Sequence, residues 1–316
     1  MGPSAKPSPR IVVIGSANMD LVVRCPRMPG PGETLLGSGF ATSPGGKGAN
    51  QAVAVARLGA ECHFVGRVGA DAFGERMALQ MKAAGVNTKG LIVTEGVPSG
   101  VAMILVDDHG ENSIVVASGA NAKVSPDDVD NAESLIASSD AVLLQLELPI
   151  ATVVRAIHVA RARQVAVVLD PAPISDSLPA AAYDVDLLNP NQVEASQLAG
   201  EPIGENLHSA KLVATELIRR GARSVVIKLG KRGALAVEGP GGQICETPAF
   251  DVSVVDTTAA GDAFAAALTV ARARGLAMDQ ACRFACAAGG LACTRLGAVN
   301  AMPTLKEVEV LLASAD

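Results

Sequence analysis

The chain carries the sequence Asp256-Thr257-Thr258-Ala259-Ala260-Gly261-Asp262, followed directly by Ala263-Phe264-Ala265-Ala266-Ala267-Leu268. Two carboxylates flank a run of small residues, and an alanine-rich sequence typical of a helix begins where they end. Backbone N–H groups can approach a ligand closely where side chains are small, and the first turn of a helix leaves such groups unpaired and partly positive. The stretch therefore predicts an anion site with Asp262 beside it, which suits a base that deprotonates a nucleophile. The alternative is that Asp256 or Asp262 only caps the helix.

The composition is typical of a globular protein. The 316 residues are 49% hydrophobic and 18% charged, with a net charge of −6, and a chain of this length forms one large domain or two modest ones. A mildly acidic chain does not favour nucleic acid or acidic membranes as partners. With no Trp, one Tyr and six Phe, platforms for stacking on bases are hard to build. We therefore expect small-molecule ligands, with no nucleic acid and no membrane as partners.

The cysteines and the N-terminal sequence bear on location. Six cysteines occur, none in a CxxC pair, and Cys282 and Cys286 share a helix face without a second Cys/His pair to complete a zinc site. Buried free thiols are the expected state, which indicates a reducing compartment. Residues 1–10 are expected to form a flexible tail, and the apolar run Ile11–Ile14 is too short for a signal peptide. We expect a cytoplasmic protein.

Strand and helix patterns alternate along residues 11–316. Ile11–Ile14 is an apolar, β-branched run typical of a strand buried on both faces. The alternation predicts an α/β fold with a doubly wound, mostly parallel sheet flanked by helices. Residues 16–44, broken by Pro and Gly, and residues 96–118, which are typical of a hairpin, are expected to form a small β-sheet lid. Further elements expected along the chain are strand 21–24, helix 49–58, strand 185–188 and helix 280–294.

Polar groups recur where the predicted strands end. Asn18, Glu147, Asn191 and Lys228 each follow an apolar run. Turn formation would explain any one of them. Their recurrence points instead to a ligand site, because open α/β sheets bind ligands at the carboxyl ends of their strands.

The loop Gly45-Gly46-Lys47-Gly48-Ala49-Asn50 opens a predicted helix. Its glycines permit positive φ and close approach of the backbone, while Lys47 and Asn50 add a cation and an amide. It is not a Walker A loop, because Gly48 stands where Ser or Thr is needed, and the chain has no G-x-G-x-x-G motif for a nicotinamide cofactor. A plain glycine turn before the helix is the alternative.

The loop Gly45–Asn50 and the stretch Asp256–Asp262 resemble the two signatures of the PfkB family of carbohydrate kinases, and within it those of the ribokinases. The resemblance runs from about Ile11 to the last helix and includes Val13–Asp20, Gln145–Glu147 and Asn189–Glu194. Two signatures in the right order, far apart in the chain, make it specific. It implies a ribokinase-like fold and ATP-dependent phosphorylation of D-ribose at the 5-hydroxyl, giving ribose 5-phosphate and ADP.

The resemblance also implies residue roles. Asp262 matches the catalytic base, and the amides of Ala260, Gly261 and Asp262 match an anion hole for the γ-phosphate, which fits a reaction that depends on positioning and charge neutralisation. The positions that match sugar contacts are Asn18, Asp20, Gly46, Lys47, Gly48, Ala49, Asn50, Glu147 and Asp262. The positions that match contacts to ATP and Mg²⁺ are Asn191, Glu194, Lys228, Leu229, Gly230, Lys231, Arg232, Gly233, Gly261 and Cys286.

Ribokinases also bind a monovalent cation, usually K⁺, mostly through backbone carbonyls. The matching positions are Asp256, Thr258, Ala292, Arg295, Gly297 and Ala301. Two positions depart from the pattern. Ala301 stands where many ribokinases carry Ser, and Lys228 stands where Thr is expected.

Alternative functions stay open at this point. The chain could phosphorylate deoxyribose, fructose or a nucleoside, although a nucleoside pocket usually needs aromatic residues that are scarce here. It could also be a non-catalytic sugar- or nucleotide-binding protein, since fold does not fix function. The lid of ribokinases forms a dimer interface, and an exposed small sheet with apolar strands needs a partner surface, so we expect a homodimer.

Overall fold

We analysed a computed structural model that describes residues 8–174, 177–239 and 241–315. Most of the expected N-terminal tail, residues 1–7, lies outside the described residues. In the described parts the strands are β1 (Arg10–Ile14), β2 (Asn18–Arg24), β3 (Gly39–Gly45), β4 (Glu61–Gly69), β5 (Asn87–Thr94), β6 (Gly100–Val106), β7 (Asn112–Ala117), β8 (Ala141–Leu144), β9 (Ala166–Leu169), β10 (Leu187–Leu188), β11 (Ser224–Lys228), β12 (Ala234–Glu238) and β13 (Ile244–Thr247). The helices are α1 (Lys47–Arg57), α2 (Ala72–Ala83), α3 (Pro126–Asn131), α4 (Glu133–Ala137), α5 (Ile150–Ala162), α6 (Gln192–Ala199), α7 (Leu207–Arg219), α8 (Ala260–Ala273), α9 (Met278–Ala292) and α10 (Leu305–Ser314).

The larger sheet has the order β13-β12-β11-β10-β9-β8-β1-β4-β5. Its strands from β11 to β5 pair in parallel, and β12 and β13 add an antiparallel edge. The carboxyl ends of the parallel strands therefore meet along one edge of the sheet, where ligands bind in folds of this kind.

Helices cover both faces of this sheet, and β1 shows how the sequence specifies it. Ile11 and Val13 pack into one hydrophobic cluster with residues of α1, α8 and α9, whereas Val12 and Ile14 pack into the opposite cluster with residues of α5, α6 and α7. Because successive strand side chains point to opposite faces, a wholly apolar run is what a strand between two helical layers requires. The predicted doubly wound fold is confirmed.

The smaller sheet has the order β3-β2-β6-β7. It is mixed, because β2 and β6 are parallel while β2–β3 and β6–β7 are antiparallel. β6 and β7 form a hairpin, and the strands of this sheet lie within residues 18–45 and 100–117. We call this four-stranded unit of the described residues the small sheet.

Several element bounds differ from the sequence-based expectation. β2 begins at Asn18 rather than residue 21, because Asn18 pairs with Gly45 and Gly100 across the small sheet. The strand expected at 185–188 is reduced to Leu187–Leu188, since the Val185 N–H closes a tight turn onto the carbonyl of Tyr183 at 2.7 Å. α1 begins two residues early, at Lys47, and α9 spans Met278–Ala292 rather than 280–294.

Two further observations concern location. All six cysteines carry free thiols, and Cys25, Cys62, Cys282 and Cys286 are buried. Throughout the part of the chain that the structure describes, the helices are too short or too polar to span a bilayer.

Candidate active site

α8 begins at Ala260, inside the stretch that was predicted to bind an anion. The residue before it, Ala259, has φ 58° and so adopts the left-handed conformation that non-glycine residues rarely occupy. Its methyl side chain cannot cap the helix. The N–H groups of Gly261 and Asp262 make no hydrogen bond within residues 8–174, 177–239 and 241–315, so the amides stay available for an anion.

The Asp262 side chain points away from its own helix end. Its Oδ2 accepts a hydrogen bond from Asn50 Nδ2 at 2.9 Å, and its Oδ1 accepts one from Gln51 Nε2 at 3.0 Å. Burial raises the pKa of Asp262, and the nearby Lys47 ammonium opposes that rise. The capping alternative is therefore wrong for Asp262, which is a buried carboxylate with proton affinity above the ordinary range.

Asp256 does not cap α8 either. Its Oδ1 accepts from the N–H and hydroxyl of Thr258 at 2.9 and 2.6 Å, and its Oδ2 accepts from the N–H of Gly297 at 2.9 Å. These bonds tie the loop before α8 to the loop after α9. The two aspartates therefore differ in their contacts: Asp262 bonds to α1, whereas Asp256 connects two loops.

The glycine loop presses α1 against the end of β1. Gly46, which precedes α1, has φ 86°, and a Cβ there would lie 2.7 Å from the backbone nitrogen of Asn18. A Cβ on Gly48 would lie 2.5 Å from the nitrogen of Ser16, and the N–H of Ala49 donates to Ser16 O at 2.8 Å. Glycine is required at these two positions, and the close fit brings Asn50 to Asp262.

Glu147 is the hub of the sugar-contact candidates. Its Oε2 accepts hydrogen bonds from the Ser16 hydroxyl, from Asn18 Nδ2 at 3.3 Å and from the Lys47 N–H at 3.2 Å. Asn18 is held in turn by Asn121, whose Nδ2 donates to Asn18 Oδ1 at 2.8 Å. Asn18 and Glu147 line a cavity of about 340 Å³, which reaches Val116 of the small sheet.

The charges around this hub shift one another's proton affinities. Burial, with added repulsion from Glu147 and Asp262, raises the pKa of Asp20 to about 7. Burial lowers the pKa of Lys47, but Asp262, Asp170 and Glu147 outweigh that cost and raise it overall. Lys47 is thus a permanently charged ammonium among carboxylates. Perturbed pKa values of this kind are typical of functional sites.

A second cavity, of about 550 Å³, lies on the other side of α8. Among the residues that line it are the nucleotide-contact candidates Lys228, Gly230, Lys231, Gly233, Gly261 and Cys286. Ala260 also lines it, so the first turn of α8 faces this cavity while Asp262 contacts α1.

Two of the predicted nucleotide contacts have structural roles instead of lining this cavity. Leu229 is 5% exposed and belongs to the core. The guanidinium of Arg232 donates to Gln192 Oε1 at 2.7 Å and to the carbonyl of Glu205 at 2.6 Å, which fixes the loop after β11. Leu229 and Arg232 are neighbours of the cavity-lining residues in the sequence. Their position in the sequence alone could not show that they support the loop and do not line the cavity.

Asn191 and Glu194 form a reciprocal cap at the start of α6. Asn191 Oδ1 accepts from the Glu194 N–H at 2.9 Å, and Glu194 Oε2 accepts from the Asn191 N–H at 2.7 Å. Burial raises the pKa of Glu194, and the Lys228 ammonium opposes the rise. The pair therefore lies beside Lys228, which itself lines the second cavity.

Among the positions matched to a monovalent cation, hydrogen bonds join three directly. Asp256, Thr258 and Gly297 are linked by the hydrogen bonds described above. The Arg295 side chain pairs with Glu307, so only its backbone is free to face a cation. Ala292 ends α9, and Ala301 is fully buried with a side chain that offers no oxygen.

A buried chain of polar side chains, which was not predicted from the sequence, lies behind these candidates. Gln51 Nε2 donates both to Asp262 and to Asp170 Oδ2, the latter at 2.8 Å, and Gln51 Oε1 accepts from Gln145 Nε2 at 2.6 Å. Lys228 Nζ lies 2.6 Å from Asp170 Oδ1. Asp170 follows β9 at the same sheet edge, and this strand-end position was the one signal that could have revealed it.

Comparisons with known proteins identify relatives that match nearly the whole chain. The model of the pfkB family of carbohydrate kinases matches residues 8–305. The chain is 42% identical over 306 residues to a ribokinase of Bacillus subtilis, covering 96% of this chain and 99% of the relative. It is 38% identical over 308 residues to a ribokinase of Haemophilus influenzae, again covering 96% and 99%.

A solved structure shares the fold. The ribokinase of Arabidopsis thaliana in complex with ribose and ATP superposes with a TM-score of 0.89 at 34% identity, covering 96% of this chain and 99% of that one. Together with the family model, which spans nearly the whole chain, this likeness shows that the chain belongs to the pfkB family of carbohydrate kinases.

Proposed function

We propose that the protein transfers the γ-phosphoryl group of ATP to the 5-hydroxyl of D-ribose, giving ribose 5-phosphate and ADP. The observation that carries the proposal is the position of Asp262. Its helix presents Ala260 and Gly261 to the larger cavity, while its carboxylate bonds to α1, whose first residue contacts Glu147 beside the smaller cavity. The Arabidopsis relative, whose fold matches, binds ribose and ATP.

In this mechanism Asp262 accepts the proton of the sugar hydroxyl. The resulting oxygen attacks the γ-phosphorus, the bond from that phosphorus to the β–γ bridging oxygen breaks, and ADP leaves with that bond's electron pair. The free N–H groups of Gly261 and Asp262 stabilise charge on the transferring group, as oriented amides do in anion holes. The raised pKa of Asp262 suits the transfer, because a general base works best with a pKa near the operating pH.

Asn18, Asp20, Gly46, Lys47, Asn50 and Glu147 would bind the sugar. Their carboxylates and amides offer acceptors and donors to hydroxyl groups. Gly48 and Ala49 would serve by packing α1 against Ser16, which keeps Lys47 and Asn50 in place.

Mg²⁺ would enter with ATP. In the part of the chain that is described, no three His, Cys, Asp or Glu side chains gather into a metal site, which fits a Mg²⁺ carried mainly by phosphates and water. When bound, the ion neutralises phosphate charge. Asn191 and Glu194, which lie beside Lys228, would support it.

A monovalent cation such as K⁺ would bind beside the anion hole. The residues present fit it in part: the Asp256 carboxylate and neighbouring carbonyls supply oxygen, whereas Ala301 supplies none from its side chain. When bound, the cation adds positive charge to the field of the loop. Asp256, Thr258, Ala292, Arg295, Gly297 and Ala301 would hold it.

The small sheet, from residues 16–44 and 96–118, would act as a lid and as the interface of a homodimer. One face of the sheet exposes Phe40, Met103 and Val115, which the strand register puts on the same side, and an exposed apolar surface of this kind marks an association site. Closure of the lid would exclude water from the transferring phosphoryl group. The free thiols fit a reducing, cytoplasmic location.

A panel of acceptors tests the substrate. ADP formation is measured with Mg·ATP and ribose, 2-deoxyribose, fructose or adenosine, each with and without K⁺. The proposal predicts the highest kcat/KM with ribose and stimulation by K⁺. A preference for deoxyribose would move the assignment to a sister kinase. Binding of ATP with no turnover of any acceptor would favour a non-catalytic binding protein.

A further inference from the structure

A buried ion pair joins two strand ends of the large sheet. Lys228 ends β11, Asp170 follows β9, and Lys228 Nζ lies 2.6 Å from Asp170 Oδ1. The two side chains are 13% and 2% exposed. Removing one partner of a pair this well buried strongly destabilises the folded protein, because the other charge is left uncompensated.

The ammonium of this pair lies at the anion site. A Cβ built on Gly261 would lie 3.7 Å from Lys228 Nζ, so the cation sits against the first turn of α8. Lys228 also lines the larger cavity together with Ala260 and Gly261. An ammonium has three N–H donors, and the bond to Asp170 occupies one of them.

The pair is connected to the base on the other side of the site. Gln51 is fully buried, and its Nε2 donates to Asp170 Oδ2 at 2.8 Å and to Asp262 Oδ1 at 3.0 Å. Gln145 fixes the opposite end of the Gln51 amide at 2.6 Å. A continuous chain of side chains therefore runs from the Lys228 ammonium through Asp170 and Gln51 to Asp262.

We propose that Lys228 is a phosphate-binding cation of the transfer site and that Asp170 is its matched counter-ion, with Gln51 fixing the distance between this cation and the base. The inference rests on the proposed kinase function and deepens it. Asp170 pins the ammonium beside the amides of α8, and it cancels the charge that Lys228 would otherwise add to the empty site. Both Asp170 and Gln51 are positioning residues.

The charge balance gives the proposal a distinctive signature. Asp170 shares the site with Asp262 and Glu194, whose pKa values it raises. With Lys228 removed, the uncompensated carboxylate of Asp170 would face the incoming phosphates and repel them. Removing Asp170 as well would relieve that repulsion. The two substitutions are therefore expected to be strongly non-additive.

A double-mutant cycle tests this with Lys228→Met, Asp170→Asn and the double variant. We measure the Kd of ADP by calorimetry, together with kcat and KM for ATP. Lys228→Met is expected to weaken ADP binding at least tenfold and to lower kcat on the order of 10²-fold, the usual effect of losing one oxyanion donor. Adding Asp170→Asn to Lys228→Met is expected to restore ADP affinity at least fivefold.

Arg161→Met is the control for loss of a partly buried ion pair away from the site, because Arg161 pairs with Asp186 at 2.9 Å. It should lower Tm without changing the Kd of ADP. The proposal is overturned if Lys228→Met likewise changes only Tm, or if Asp170→Asn gives no rescue. Since the Kd of ADP is measured without turnover, a wild-type protein that binds ADP but phosphorylates no sugar would refute the proposed function and leave this test intact.

Discussion

The two sheets differ in what covers them. The large sheet has an apolar helical layer on each face, and its strand ends hold Asp170, Lys228 and the start of the chain that reaches Asp262. The small sheet is less covered: every residue of its edge strand β7 is exposed, and Val115 is 70% exposed. The first arrangement holds charged groups rigidly against one another. The second leaves an element free to move and to associate. Transfer chemistry should therefore depend on the large sheet, and sugar retention and assembly on the small one.

The strongest way to break this division is Asp262→Asn. The amide cannot accept a proton, so kcat is expected to fall by 10³-fold or more, at the upper end of the effect of a general base. Because Asn keeps the shape of the side chain and leaves the amides of α8 in place, the Kd of ribose and of ADP should stay within about threefold of wild type. Stopped-flow turnover and calorimetry measure these quantities. A turnover within tenfold of wild type would remove Asp262 from the mechanism.

Asp20 sharpens the comparison, because it lies on β2 of the small sheet and faces the carboxylates of the site. Its pKa is about 7 in the folded chain against 3.8 as the ordinary value, so its contribution to stability is fully present below pH 4 and is lost as pH rises through 7. Asp20→Asn removes this loss of stability, because the amide does not ionise. We expect the variant to gain up to about 4 kcal/mol in the free energy of unfolding at pH 8, and almost nothing at pH 4.

Denaturant titrations at pH 4, 6 and 8 measure this effect. Asp108→Asn, at an exposed position in the turn between β6 and β7, is the matched control, and its effect should stay within about 0.5 kcal/mol at every pH. An equal gain in the free energy of unfolding at pH 4 and pH 8 for Asp20→Asn would contradict a raised pKa of Asp20 in the folded protein.

A substitution of Gln51 tests whether the hydrogen bonds at the ends of the large sheet's strands hold the Asp262 carboxylate in its catalytic position. Gln51→Met keeps the volume but removes the donors to Asp262 and Asp170. We expect kcat to fall about tenfold, in line with the sensitivity of catalysis to small displacements of a reacting group, while KM for ribose changes less than threefold. Equal changes in kcat and KM would assign Gln51 to substrate binding instead.

The smallest effect on chemistry is expected at the outer face of the small sheet. Val115→Lys places a charge in the exposed apolar surface with Phe40 and Met103, and should convert the proposed dimer to a monomer. Sedimentation velocity measures the association state. Because Val115 is remote from Asp262, kcat should change less than threefold, with KM for ribose rising more than kcat falls. Leu212→Lys, at an exposed position on α7, is the control and should leave the mass unchanged. A variant that keeps the wild-type mass would contradict this interface.

The sequence predicted most of the fold, because apolar runs in strands and Pro- and Gly-rich breaks are local signals. β1 shows this best, since its four apolar residues divide between the two clusters. The bounds of β10 were missed because the turn at Tyr183 depends on tertiary context. In the site, Asp262 and Glu147 stood out at element ends. Gln51 and Asp170 did not, because their roles depend on pairings between residues far apart in the chain, such as Gln51 with Asp262.

The most direct test of the central claim is the identity of the product. The protein is incubated with Mg·ATP, K⁺ and uniformly ¹³C-labelled ribose, and the product is examined by ³¹P and ¹³C NMR. The proposed function predicts one product, with phosphorus coupled to carbon 5 and ADP formed in equal amount. Free phosphate without a sugar phosphate, or phosphorus coupled to carbon 1, would contradict it.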